Sequence, residues 1–425
     1  MSPRSHRNLG TPLPLVPTPP PLILSLSKDA SGRAGFLRLP RWNLTLPSPW
    51  KLVVGIVLAW GCWVTARRFW LGLGAVTHLS DRMPWGLWVG FDVLCGVALA
   101  AGGFSVMAMV HLFGFERLRP IVPATVLTAF LGYVLVSVGL LYDLGRPYNM
   151  WHVFIMHNPR SVMFEVAWCV ILYLSVLAIE FSALVMERFR WTRALEMLGR
   201  ITVPLVIAGA LLSTLHQSSL GTLFLIVPGK LYTLWYSPYL PLMFFFSALA
   251  VGFAMVIFES YLSAFAFGRS LERGIIRELA HILLVTVLFY LGIKLQDLFA
   301  RGALGALFVP RMETWCFWLE VALLAVPAAM LLDERLRADE HATFLSATLV
   351  VLGVIVNRLN VSIVGTYAYS GASYMPSFEE LSVSVFLTTL GVLAFGFAVR
   401  FLGIFEGHDN GDGPTPALQK PAEAA

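Results

Sequence analysis

Ten runs of about twenty predominantly apolar residues follow one another along this 425-residue chain, at roughly 51–72, 85–113, 120–142, 162–186, 201–227, 240–266, 279–299, 313–332, 342–364 and 381–403. Each matches the length a helix needs to cross a hydrocarbon layer. Hydrophobic residues make up 57% of the sequence and charged ones 13%, and mean hydropathy is +0.75, so lipid is the solvent against which the chain must be read. The expected fold is an all-α integral membrane protein with ten transmembrane helices in one polytopic domain, residues 46–405. The tails, 1–45 and 406–425, are expected to be disordered and cytoplasmic. The first is rich in Pro, Ser and Leu, and its PLILSL patch is too short to span. It also lacks the charged start, apolar centre and small-residue exit of a cleavable signal.

An even number of crossings puts both termini on one side, and loop charge says which. Loops after the second, fourth, sixth and eighth runs carry Arg117 and Arg119; Arg188, Arg190, Arg193 and Arg200; Arg269, Arg273 and Arg277; and Arg335 and Arg337. The opposite loops are poorer in bases and 365–380 has none, which places both termini in the cytoplasm despite Arg67, Arg68 and Arg82 on the other side. Trp85, Trp88, Tyr148, Trp151, Tyr232, Trp235, Tyr239 and Tyr367 crowd that outer side, as an interfacial belt or the floor of a docking site. The net charge of +5 therefore expresses topology and calls for no nucleic acid. Cys62, Cys95, Cys169 and Cys316 lie in or beside apolar runs without metal-ligand spacing, and are read as packing residues.

Ionisable residues inside these runs are the functional candidates. A lone carboxylate such as Asp92 costs at least ~2.5–3.5 kcal/mol on insertion scales. At a rise of about 1.5 Å per residue, Asp92 sits about 10 Å inside the outer end of its run, and His216 comes to a similar depth from the other direction. Asn357, Arg358 and Asn360 fall within about two turns of an outer end, and Glu165 opens the fourth run. Structural alternatives stand beside each. Asp92 and Arg358 can neutralise one another, Glu165 can be a carboxylate favoured by a helix dipole, and His216 can be a core histidine satisfied by neighbours. Glu180 and Glu259, in the inner half, either continue a proton path or simply lie near cytoplasmic helix ends. Bis-histidine haem ligation needs two matched histidines on facing helices, and only His216 lies well inside a run. No GxGxxG or Walker pattern supports a nucleotide site. A secondary transporter would place its charges at mid-membrane, whereas here they crowd the outer side.

The segments PWGLWVGFDVLCGVALAAGGF, YDLGRPYNMWH, NPRSVMFEVAW, TLHQSSLG, NRLNVSIVG and YMPSFEEL resemble the NrfD/polysulfide-reductase family of membrane subunits, over about residues 50–405. Within that family they are similar to the membrane subunits of periplasmic nickel–iron hydrogenases. The resemblance implies two four-helix bundles with two peripheral helices, in a bacterial inner membrane. It implies a quinone-reacting subunit, not a complete enzyme, with menaquinone or ubiquinone as substrate and no haem or metal of its own. A ferredoxin-like iron–sulfur subunit would dock outside and link it to a nickel–iron hydrogenase, a molybdopterin enzyme or a multihaem cytochrome complex. The quinone head would sit near the outer surface. Asp92, Glu165 and His216 would carry its chemistry, and Asp143, Arg146, Gln217 and Arg358 would border it. Glu180 and Glu259 would extend the proton path.

Overall fold

The computed structural model describes residues 48–226, 230–268, 271–371 and 374–404, so the readings for tails 1–45 and 406–425 lie outside it. Ten helices are long and apolar enough to cross a membrane: α1 Pro49–Leu71, α2 Trp88–His111, α3 Glu116–Asp143, α4 Val162–Arg188, α5 Thr192–Leu223, α6 Leu240–Phe267, α7 Arg273–Ala300, α8 Met312–Leu332, α9 Glu340–Ser370 and α10 Phe378–Leu402. The protein is thus an all-α, multi-pass membrane protein, and the described residues contain no β-strand. Starts and stops follow local chemistry. Ser161 caps α4, Asp339 caps α9 by accepting from the Ala342 N–H at 2.8 Å, and Ser377 with Glu380 forms a reciprocal capping box at α10. Gly268 and Gly371, both at positive φ, stop α6 and α9. α5 and α7 begin earlier than hydropathy indicates, at Thr192 and Arg273, because a helix continues past the hydrocarbon edge with charged residues on its turns.

Packing separates the helices as expected. α2–α5 form one four-helix bundle and α6–α9 a second, while α1 pairs with α10, which leans on α3. α2 and α5 form the seam, because α2 also touches α6 and α9, and α5 packs along α6. A Cβ on Gly252 of α6 would lie 2.8 Å from the amide nitrogen of Gly102 and 2.9 Å from the carbonyl carbon of Ala101, so two backbones meet where only hydrogen fits. Gly252→Val should therefore wedge the bundles apart, at a cost of about 1–3 kcal/mol or more for overpacking. A lowered thermal midpoint in detergent is the expected readout; an unchanged midpoint would show that the seam yields.

Two segments depart from α geometry. Trp88–Cys95 in α2 and Asn360–Val364 in α9 are π-helical, and they touch where a Cβ on Gly90 would come 2.6 Å from the Ser362 hydroxyl. Such wide turns gather at functional sites. This one carries Asp92.

Candidate functional site

The half of the first bundle that loop charge assigns to the outer side holds a polar pocket built on one face of α5. His216 has no solvent exposure, and neither ring nitrogen has a hydrogen-bond partner among the described residues. Its ring lies 5.9 Å from that of Tyr133 on α3. The next residue, Gln217, donates through Nε2 to the Val97 carbonyl of α2 at 3.1 Å. That carbonyl can accept because α2 breaks just beyond it, where the Ala101 N–H turns back to Ala98 instead. The Gln217 Oε1 has no hydrogen-bond partner among the described residues. Two residues further along α5, the Ser219 hydroxyl donates at 2.5 Å to Glu165, in the first turn of α4, where the helix dipole favours a carboxylate. Glu165 itself is exposed at the outer mouth.

Asp92 sits at the same end of the molecule but on another face of α2. It is half-buried between α3 and α10, accepts from the Ser384 hydroxyl of α10 at 2.6 Å, and approaches α3 where a Cβ on Gly139 would lie 3.1 Å from its own. Just outward, the Trp88 indole donates to the Glu380 carbonyl at 3.1 Å. Tyr374, in the loop before α10, donates to the Glu380 carboxylate at 2.6 Å and accepts from the Leu87 N–H at 2.7 Å, and burial pushes its phenol above the usual range. These bonds pin the outer end of α2 to α10. Asp143 ends α3 beside Arg68 of α1, whose guanidinium donates to the Tyr142 and Leu144 carbonyls at 2.7 and 2.6 Å. That cation fits a helix C-terminus. Asp143 Oδ1 is buried without a hydrogen-bond partner among the described residues, and Arg146 lies exposed in the following loop.

Arg358 belongs to the second bundle. It lies over the Phe244 ring at 3.8 Å and donates to Asn357, Ser247 and the Phe244 carbonyl. It does not pair with Asp92, so the mutual-neutralisation alternative is not what these helices form. The candidates therefore occupy three settings: Glu165, His216 and Gln217 inside the first bundle; Asp92 and Asp143 toward α10 and α1; Arg358 in the second bundle. In the inner half, Thr128 donates to Glu259 at 2.6 Å beside a cavity between α3, α6 and α7 that Glu272 and Ser263 also line, while Glu180 lies on α4 against Gly209 of α5.

A buried ionic network in the second bundle escaped the sequence reading. Glu320 of α8 and Lys294 of α7 form an ion pair with almost no exposure, and Glu320 also accepts from Trp235, Asn357 and Asn360, each at 2.9 Å. Outward of it, Asp297 binds Arg301 and accepts from Ser237 at 2.6 Å. The rule that makes Asp92 conspicuous applies equally to Glu320 in CFWLEVALL.

Among the described residues no group of three or more His, Cys, Asp or Glu suits a metal ion. Haem fits poorly as well. His111 bonds its own helix at the inner end of α2 and His281 is exposed on α7, so neither faces His216 across the bundle.

Comparison with known proteins gives a family match described as polysulphide reductase, NrfD, over residues 75–370. A protein of Nitratidesulfovibrio vulgaris is 36% identical over 380 residues, covering 86% of this chain and 97% of the relative. The probable Ni/Fe-hydrogenase 2 b-type cytochrome subunit of Escherichia coli is 33% identical over 80% of this chain and 88% of its own length. The integral membrane subunit of menaquinone reductase from Nitratidesulfovibrio vulgaris is 28% identical over 86% and 93%.

Proposed function

The chain belongs to the polysulphide reductase NrfD family, and from that we propose that it carries electrons between an iron–sulfur partner subunit and the quinone pool of a bacterial inner membrane, as the membrane subunit of a nickel–iron hydrogenase. The observation that carries this reading is His216, fully enclosed with two unpartnered ring nitrogens, beside the unpartnered oxygen of Gln217 and beneath the Glu165–Ser219 pair. Reducing a quinone takes two electrons and two protons, so its head needs hydrogen-bonding groups at the carbonyl oxygens, close to the electron donor's docking face. His216 is the carbonyl partner in this reading. Glu165 exchanges protons at the mouth, Asp92 serves the face toward α10, and Asp143 and Arg146 orient the outer loop. Glu180 and Glu259 connect inward. The hydrogenase assignment leans on the relative in Escherichia coli; the menaquinone reductase relative supports the same subunit role with another catalytic partner.

Purification from mild detergent tests the whole reading at once. The expected result is copurification with an iron–sulfur subunit and a hydrogenase, quinone-linked turnover, and no dithionite-reduced b-type band assignable to this chain. A stoichiometric band of that kind would put the haem-free route in error. Isolation of a chain with no partner and no quinone-linked turnover in any preparation would sink the function itself.

Orientation is a separate matter, with both termini placed in the cytoplasm by loop charge. Single cysteines replacing the exposed Asn158 and Arg193, which lie in loop and helix end at opposite ends of the molecule, should differ toward a membrane-impermeant thiol reagent on spheroplasts. Asn158→Cys should label and Arg193→Cys should not. The reverse would invert the topology.

A further inference from the structure

The turn that joins α4 to α5 holds an arginine where a glycine would fit more easily. α4 ends in two backbone bonds, from the Trp191 N–H to the Met186 carbonyl at 2.9 Å and from the Arg190 N–H to the Glu187 carbonyl at 3.1 Å. That pattern puts Arg190 in the left-handed region, at φ 57°. Gly268, Gly371 and Gly403 take the same conformation at the ends of α6, α9 and α10, and Arg190 is the one non-glycine residue at positive φ among the described residues. A Cβ there crowds the following carbonyl, a strain that glycine escapes. The side chain at 190 thus carries a cost that the turn itself does not require.

Other bases gather at the same corner, on the side that loop charge assigns to the cytoplasm. Arg188 and Arg190 flank Phe189, and Arg193 stands on the first turn of α5. The Phe189 ring lies 6.0 Å from that of Trp191 and 6.4 Å from that of Phe401, which follows Arg400 at the end of α10. Bases from two separate stretches of chain are thereby brought together. All four arginines are exposed, and among the described residues none forms an ion pair, with Glu187 and Glu196 or with any other acid. Arg119, Arg273 and Arg337 at the same end of the molecule each hold a glutamate. The exposed rings of Phe189 and Trp191 set the corner at the boundary between lipid tails and headgroups. α10 also lacks a polar hold there: past Ser384, no side-chain hydrogen bond links it to another helix among the described residues.

We propose that Arg188, Arg190, Arg193 and Arg400 bind the headgroup of an anionic phospholipid with two phosphates, of the cardiolipin type, which staples the inner end of α10 to the α4–α5 turn. Guanidinium forks match phosphate oxygens in pairs, and basic pockets between membrane helices on the cytoplasmic side hold such heads. The bases of the turn take one phosphate and Arg400 takes the other, while acyl chains run along Phe189 and Trp191. The site is apart from the quinone pocket and does not rest on the quinone reading. The rival occupant is the segment after α10, residues 405–425, which carries Glu406, Asp409, Asp412 and Glu423. Exposed aromatic rings at a lipid boundary suit acyl chains and offer nothing to those acids, which favours the lipid.

The test uses the full-length chain, purified in mild detergent with whatever subunits accompany it, and native mass spectrometry of the lipid it retains. Cardiolipin should survive washing that strips phosphatidylethanolamine, and cardiolipin added back should raise the thermal midpoint. Arg190→Gly combined with Arg400→Gln should lower cardiolipin retention about tenfold or more and remove the midpoint shift. Glycine relieves the backbone at 190, so lost lipid in this variant does not reflect a broken turn. Arg335→Gln, at an exposed arginine on the second bundle's loop, should retain cardiolipin like the unsubstituted chain. Full retention in the double variant, or an equal loss in Arg335→Gln, overturns the site. Phosphatidylglycerol matching cardiolipin at equal phosphate overturns the two-phosphate assignment. Truncation after residue 404 should leave retention unchanged; a several-fold gain would hand the arginines to the tail and overturn the lipid.

Discussion

His216→Ala is expected to give a complex that assembles and retains full artificial-dye activity of its catalytic partner, yet loses quinone-linked turnover by ~10²-fold or more, the usual scale for a positioned proton-transfer or carbonyl partner. Assembly should survive because His216 makes no hydrogen bond to the fold whose loss would strand another group. The ring does pack against Tyr133, so a modest stability cost from the small cavity is expected. Asp92→Asn makes a matched comparison. Its amide oxygen can still accept from Ser384, so α2 and α10 stay joined while the ionisable group is gone. A comparable loss there would put Asp92 in proton transfer. Full quinone turnover with normal assembly in either variant would make that residue structural.

The second large effect concerns the Lys294–Glu320 pair. Lys294→Met leaves a carboxylate with no exposure among Trp235, Asn357 and Asn360, deprived of its only cationic partner in hydrogen-bond reach among the described residues. Breaking a buried pair from one side costs about 3–5 kcal/mol, a large fraction of the stability of an ordinary domain. Failure to assemble is the expected outcome. Adding Glu320→Gln should restore most of it, because the amide oxygen still accepts and the charge has gone. The measurement is the yield and thermal midpoint of the purified complex for the two single variants and the double. Additive damage in the double variant would show that the pair contributes no coupling.

Depth along each helix was legible in the sequence, and direction around it was not. Apolar runs located all ten crossings because water and lipid differ in that one property, and the charged turns that begin α5 and α7 fell outside them for the same reason. Counting residues brings Asp92 and His216 to similar depth, whereas Gln217 meets the Val97 carbonyl, five residues along α2 from Asp92, so the two levels differ by more than a turn. They also point into different crevices, because the π-helical stretch Trp88–Cys95 turns the outer part of α2 relative to a regular helix. No simple pattern of residues announces that stretch. Lys294 stands five residues before the end of the seventh apolar run, and its partnership with Glu320 depends on how α7 and α8 sit against each other.

The stretch that bears the family signature stops at residue 370, short of α10, and starts after α1. A subunit pared down to that signature would keep both bundles but would strip Asp92 of the Ser384 hydroxyl, deny the Trp88 indole its carbonyl, and remove Arg68 from the end of α3. An acid and an indole would then face lipid tails. The outlying pair is consequently not ornament on an eight-helix engine. Asp92 depends on it, and any trimmed or transplanted version of this subunit has to carry both helices or replace the acid along with them.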